Sequence, residues 1–151
     1  MRKEIRPFDL NIDTLGFYIN RVFYAMSKIL GQKLKDSSLD IQFSEFTLLK
    51  ALADLEEVTQ IQLVEALGKE RSAINRPLAS LEQKGYVKRE PLNGKTNLVT
   101  LTQKGEQVIP ELNEIAEQVT EIAFKGFPQK SRISFINSLT RIYRNALPDD
   151  Q

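Results

Sequence analysis

The 151-residue sequence contains no cysteine and no histidine. Without cysteine there is no disulfide, no thiol nucleophile and no thiol redox switch. Without histidine there is no imidazole base, no charge switch near neutral pH, and no zinc site built on either ligand type. Carboxylates alone can hold Mg²⁺ or Ca²⁺, but no run resembles an Asp/Asn-rich calcium loop. No Ser/His or Cys/His pair and no phosphate-cradling glycine-rich loop is present, so neither an enzyme nor a cofactor is expected. No window approaches the roughly 18 consecutive apolar residues of a membrane span. The basic start, Met1-Arg2-Lys3-Glu4-Ile5-Arg6-Pro7, is not followed by an apolar stretch and a small-residue cleavage site. A cytoplasmic location, without membrane partners, is the expectation.

What is present fits an ordinary globular chain: 41% hydrophobic and 27% charged residues. The net charge of +1 hides an uneven distribution. From Gly68 to Lys104 there are eight basic residues (Lys69, Arg71, Arg76, Lys84, Lys88, Arg89, Lys95, Lys104) and three acidic ones (Glu70, Glu82, Glu90), a local charge of +5. The remainder carries −4. Local positive charge on an acidic body is an electrostatic footprint for a polyanion; a solvated helix and hairpin would give the same count.

Apolar residues at Leu15, Ile19, Val22, Phe23, Met26, Ile29 and Leu30 recur every three to four positions, which predicts an amphipathic helix within 10–34 that Asp36-Ser37-Ser38 breaks. Ser44 is expected to cap a second helix carrying Phe46, Leu48, Leu49, Leu52 and Leu55. After the acidic Glu56-Glu57 and a short turn, Thr59-Gln60-Ile61-Gln62 reads as a capping box opening a short helix that Gly68 stops. Another helix follows from about Arg71 or Ser72 to Lys84, with Ile74, Leu78 and Leu81 inward and Gly85 ending it. Two short helices joined by a tight glycine-containing turn form a helix-turn-helix. Tyr86–Leu92 and Lys95–Leu101 read as strands around Asn93-Gly94, which predicts a two-residue type I′ hairpin, and Pro91 confines its strand to an edge. A hairpin in that place is a wing. Thr102 caps a long helix whose Val108, Leu112, Ile115, Val119 and Ile122 step by 4, 3, 4, 3 until Gly126-Phe127-Pro128. A last amphipathic helix carries Ile133, Ile136, Leu139, Ile142, Tyr143 and Leu147 and stops at Pro148.

The fold class is therefore mainly α with a small β-hairpin wing: a winged helix-turn-helix with long N- and C-terminal helices. Residues 37–102 would form the winged lobe. Residues 1–36 and 103–151 would form a helical dimerisation region intertwined with it, because the terminal helices carry wide apolar faces that a single copy could hardly cover.

The run from Thr59 to Arg76 resembles the helix-turn-helix of the MarR family of regulators. Leu81-Glu82-Gln83-Lys84-Gly85-Tyr86-Val87-Lys88-Arg89 is similar to that family's passage from recognition helix to wing, and Leu98-Val99-Thr100-Leu101-Thr102-Gln103-Lys104-Gly105 to its exit from the wing. The resemblance implies a triangular homodimer with one DNA-binding lobe per subunit, usually a repressor, often released by a small phenolic or other aromatic effector. Its partner would be a pseudo-palindromic duplex operator, which places the protein on the nucleoid. Two positions depart from the pattern. The usual wing-tip Asp-x-Arg appears as Asn93 and Lys95, and Lys95 lacks the planar guanidinium suited to a narrow minor groove. Pro77 lies inside the recognition helix, where it removes one backbone bond and tends to bend the helix.

The N-terminal residues of a recognition helix reach base edges, which here selects Arg71, Ser72, Ala73, Asn75 and Arg76. Arginine suits guanine, asparagine suits adenine, and alanine can touch a thymine methyl. Ser44, Thr59 and Gln60, near helix N-termini, and Lys69, Lys88, Arg89 and Lys95 are candidates for phosphate or wing contacts. By family analogy an effector pocket between dimer helices and lobe could draw on Phe17, Tyr18, Tyr24 and Phe46, for each of which core packing is the competing role. A winged-helix module that binds protein instead of DNA is the alternative function.

Overall fold

A computed structural model describes residues 14–147. The basic N-terminal run, the first residues of the predicted 10–34 helix and the Pro148 stop lie outside the described residues. The chain divides into two compact units, the first ending at Val119 and the second beginning at Thr120.

In the first unit, α1 (Leu15–Asp36) starts at Thr14, whose hydroxyl accepts from the Phe17 amide, and ends at Ser37. Next come α2 (Phe43–Leu55), a two-residue strand β1 (Val58–Thr59), α3 (Gln60–Leu67), α4 (Arg71–Gln83), β2 (Val87–Pro91), β3 (Asn97–Leu101) and the start of α5 (Gln103–Ala123). The expected winged helix-turn-helix is present, with Ile74, Leu78 and Leu81 of α4 buried against Leu48, Leu49 and Leu52 of α2 and Leu63 of α3. Burying a leucine of this kind stabilises by roughly 1.5–3 kcal/mol. The Thr59–Gln62 capping box forms, and Gly68 closes α3 in the left-handed conformation at φ 56°. Thr102 caps α5, its hydroxyl accepting from the Gly105 amide at 3.1 Å. In α5, Leu112, Ile115 and Val119 of the predicted seam are buried, and Leu112 and Ile115 join the same core.

Three local expectations are corrected. Ser44 does not cap α2: Gln42 is the N-cap, in a reciprocal box with Glu45, which lies three residues on, accepts from the Gln42 amide and also binds Lys84. The stretch after Glu57 is more than a turn, since Val58 and Thr59 pair with Val99 and Leu98 as a third strand, giving the sheet order β1-β3-β2. The wing tip is not a two-residue turn. Pro91 pairs with Asn97, so residues 92–96 form the loop, and there only Gly94 has positive φ. A two-residue turn at Asn93-Gly94 would place Leu98 and Thr100 opposite Arg89 and Val87. The observed register instead puts Val99 opposite Arg89 and Leu101 opposite Val87, and Val87 and Val99 are buried. A one-residue slip exchanges the faces of a strand, so core burial overrides turn preference. Pro91 ends the edge strand β2, as expected.

Helix α4 starts at Arg71 and runs unbroken through Pro77 in its second turn, leaving the Ala73 carbonyl without its i+4 amide.

The second unit holds the last residues of α5, a turn with Gly126 at φ 85°, and α6 (Gln129–Ala146). Phe124 packs edge-on against Phe127 and Phe135, and Arg132 lies over its ring while bonding Glu121. No residue of α6 is buried, and Ile133, Phe135, Ile136 and Tyr143 are exposed.

Gly105 fixes the join between wing and α5. A Cβ there would lie 2.1 Å from the Tyr86 carbonyl oxygen, a backbone atom that cannot swing aside. Gly105→Ala is expected to destabilise the protein by about 1–3 kcal/mol, as overpacking does, with a lower urea midpoint in chemical denaturation.

Candidate nucleic-acid interface

The inward stripe of Ile74, Leu78 and Leu81 rotates α4 so that Arg71, Ser72, Ala73, Asn75 and Arg76 are all exposed. Its N-cap, Glu70, makes no side-chain capping bond. The first-turn amides of an α-helix have no intrahelical acceptor, so this end is open to an anion.

The basic residues divide into two groups. Lys84 reaches back to α2, where its ammonium donates to both Glu45 carboxylate oxygens (3.0 and 2.9 Å) and to the Asp40 carbonyl. Glu45 is 2% exposed. Burial alone pushes the Lys84 ammonium down, but hydrogen bonds and charge from Glu45 and Asp40 outweigh it and hold it above 10.5. Arg89 bonds Glu82, joining β2 to α4, and Lys88 lies 3.4 Å from Glu90 on the surface. Lys104 donates to the Lys84 carbonyl and sits over the Tyr86 ring. Lys69, Arg71, Arg76 and Lys95 make no ion pair among the described residues, and all four are exposed. Within Gly68–Lys104 these four are the exposed cations whose side chains bond to no other group among the described residues.

The other candidates are placed as follows. The Thr59 hydroxyl is occupied in its capping box. Ser44 is half-buried in the first turn of α2. Gln60 is buried, and its side-chain amide donates to the Asn75 carbonyl oxygen. Lys95 stands in the wing loop, its backbone amide 3.4 Å from Asn93 Oδ1. The four aromatics do not converge. Phe46 packs against the core, Phe17 touches Tyr18 edge-on, and Tyr24 is exposed between Arg21 and Lys28. None of them lines the cleft of about 630 Å³ bounded by Leu52, Glu56, Lys88, Thr100 and Ile109. Sequence reading did not foresee the Lys84–Glu45 and Gln60–Asn75 contacts. The partners are 39 and 15 residues apart, and no local pattern couples them.

The sequence pattern that defines the MarR family matches residues 39–94, the stretch from before α2 to the wing tip. That stretch of the chain is similar to the MarR family. Over 84% of its length the chain is 26% identical to the HTH-type transcriptional regulator YybA of Bacillus subtilis, covering 85% of that protein. A MarR transcriptional regulator from Methanosarcina mazei superposes with a TM-score of 0.81 at 25% identity, over 90% of this chain and 91% of that one. A MarR-family regulator from Listeria monocytogenes, solved in complex with a 26-mer DNA, gives 0.80 at 23% identity over 89% of each chain. In this lobe the Glu82–Arg89 pair anchors the wing to α4.

That anchor is pH-sensitive. The hydrogen bond from Arg89 holds the Glu82 carboxyl below 4.5, against a smaller upward push from burial. A depressed folded value contributes stability above pH 4.5 that is lost as pH falls through it. Urea titrations between pH 6 and 3 should show a shallower acid loss for Glu82→Gln than for the wild type; identical slopes would remove the pair from the wing's stability.

Proposed function

We propose that the chain is a homodimeric, sequence-specific repressor of transcription that acts in the cytoplasm on a pseudo-palindromic duplex operator. It is a MarR-family DNA-binding regulator, not an enzyme. The observation that carries the reading is the uncapped, exposed N-terminal end of α4, whose first two turns bear Arg71 and Arg76 free of acidic partners among the described residues. An α-helix fills a B-DNA major groove, its N-terminal residues reach base edges, and arginine can bond guanine bidentately. Ser72, Ala73 and Asn75 share that end of the helix. Lys69 and Lys95 suit phosphates or a minor groove, and the amide ends of α2 and α3 at Ser44, Thr59 and Gln60 suit phosphates. Lys88 and Arg89 would add to the field around the wing while bound to Glu90 and Glu82.

Residues 37–102 would be the DNA-binding lobe, and residues 1–36 with 103–151 the dimerisation region. Supporting the dimer, α1 and α6 each expose a row of large apolar side chains, among them Val22 and Phe23, and Ile133 and Ile136. Exposed rows of this kind mark association surfaces. Two lobes should read half-sites about 10–10.5 bp apart or a multiple of it. Release by a small aromatic effector, with Phe17, Tyr18, Tyr24 and Phe46 as candidate contacts, belongs to the same reading and rests on the family resemblance alone.

Fluorescence anisotropy on a duplex from the upstream region of its own gene, with a scrambled duplex as control, tests this at several salt concentrations. Tight, salt-sensitive, sequence-preferring binding at two subunits per duplex is expected. No binding to either duplex at low salt would favour a winged-helix module for protein partners. Arg76→Ala should weaken specific binding far more than non-specific binding; equal losses would restrict Arg76 to phosphate. Lys95→Ala should lower the slope of log K against log salt by about 0.9, one phosphate's share, and an unchanged slope would take the wing off the DNA. Ile136→Asp should shift the protein toward monomer in light scattering, since Ile136 is 50% exposed in the single copy.

A further inference from the structure

Glu45 and Gln60 are the two buried polar or charged residues among the described ones. Glu45 is bonded to Lys84 and to the Gln42 amide. Gln60, the first residue of α3 and 9% exposed, spends its side-chain amide on one contact: its Nε2 donates to Oδ1 of Asn75 on α4. Asn75 is itself exposed, between buried Ile74 and exposed Arg76, and its Nδ2 makes no hydrogen bond among the described residues.

An asparagine amide has one acceptor oxygen and two N–H donors on a rotatable plane. Left free, it can turn either edge outward, and it reads adenine by using both together, accepting from N6 and donating to N7. With Oδ1 turned back toward α3, the outward edge is the donor. We propose that Gln60 is a positioning residue for DNA recognition: by holding the Asn75 carbonyl, it makes Asn75 present N–H to the major groove and favour guanine, whose O6 and N7 both accept, or thymine O4, over cytosine, which offers only a donor, and over adenine, whose N6 donor meets the donor edge beside N7. This rests on the proposed function, and within it replaces the adenine preference that asparagine carries by default. It also gives the buried polar side chain of Gln60 a role separate from the phosphate contact its backbone amide could make.

Substitutions at Gln60 distinguish positioning from support. Gln60→Leu removes the donor, so the Asn75 amide rotates freely. Gln60→Glu, ionised at pH 8, can only accept; it would take the Asn75 N–H and turn Oδ1 outward, toward adenine N6 or cytosine N4.

The test is selection from a random duplex library at pH 8 with the full chain as wild type, Gln60→Leu, Gln60→Glu, Asn75→Ala, and Gln60→Leu with Asn75→Ala. In the wild type, one position per half-site should favour guanine or thymine roughly five- to tenfold on the contacted strand. That preference should give way to adenine in Gln60→Leu, where the freed amide uses both edges, should vanish in Asn75→Ala and in the double variant, and should reverse to adenine or cytosine in Gln60→Glu, the other positions keeping their bases. A loss of support alone would weaken all positions together and reverse none. If Gln60→Leu does not fold, Gln60→Glu decides: reversal supports the proposal and an unchanged preference overturns it. Wild-type enrichment with the same bases in every Gln60 variant, or with adenine at the Asn75-dependent position, overturns the inference and leaves the proposed function standing. A library that the wild type does not enrich overturns the proposed function and this inference with it.

Discussion

The winged lobe depends on how the C-terminal end of the recognition helix is tied down. At Lys84 the chain leaves α4, and its ammonium crosses to the buried carboxylate of Glu45 at the start of α2. One residue on, the Gly85 carbonyl accepts from the Thr102 hydroxyl. The Tyr86 carbonyl accepts from the Thr102 amide and leaves no room for a side chain at Gly105. The Lys84 carbonyl accepts from Lys104. Three consecutive residues thus bind the end of α4 to α2 and to the wing's exit. Removing one member of a buried ion pair leaves an uncompensated charge and is costlier than removing both. The other end of α4 is left open and uncapped. A helix fixed at its far end and exposed at its near end is suited to present the near end to a groove.

The same arrangement sorts the charge. The segment that carries +5 is not a uniform basic surface. Lys84 serves the interior, Arg89 ties the wing to α4, and Lys88 has an acidic neighbour in Glu90. Lys69, Arg71, Arg76 and Lys95 remain without an acidic partner among the described residues, two of them on α4 and one at the wing tip. A near-neutral chain can therefore hold a concentrated basic edge, because its structural cations are neutralised internally and its acids lie mostly outside this stretch. Apolar surface is sorted in a similar way. The inward faces of α2, α3 and α4 are spent on the lobe core, whereas α6 buries none of its residues in one copy.

Most of the fold was legible because its signals are local. The three-to-four spacing in α1, α2 and α4, the Thr59–Gln62 box, Gly68 as a left-handed stop and Thr102 as a cap each follow from side chains within a few residues of one another. Where reading failed, a distant partner had intervened. Asn93-Gly94 is a sound signal for a two-residue turn, yet Val87, Val99 and Leu101 set the register and the loop became five residues long. Ser44 is a good N-cap by type, but the cap lies two residues earlier, at Gln42, whose box partner Glu45 is also bound by Lys84. Val58 carried no sign of pairing with a strand some forty residues later.

Sequence alone determined the helix-turn-helix, the presence of its wing and which residues stand at the N-terminal end of α4, because hydrophobic period and capping act over one or two turns. Tertiary structure alone decided which of the eight basic residues remain outward, how the wing is registered, and that Asn75 is held by Gln60. These depend on which side chains meet across helices and strands. Burial sets the outcome there, by making an unpaired charge or amide too costly to leave unmatched.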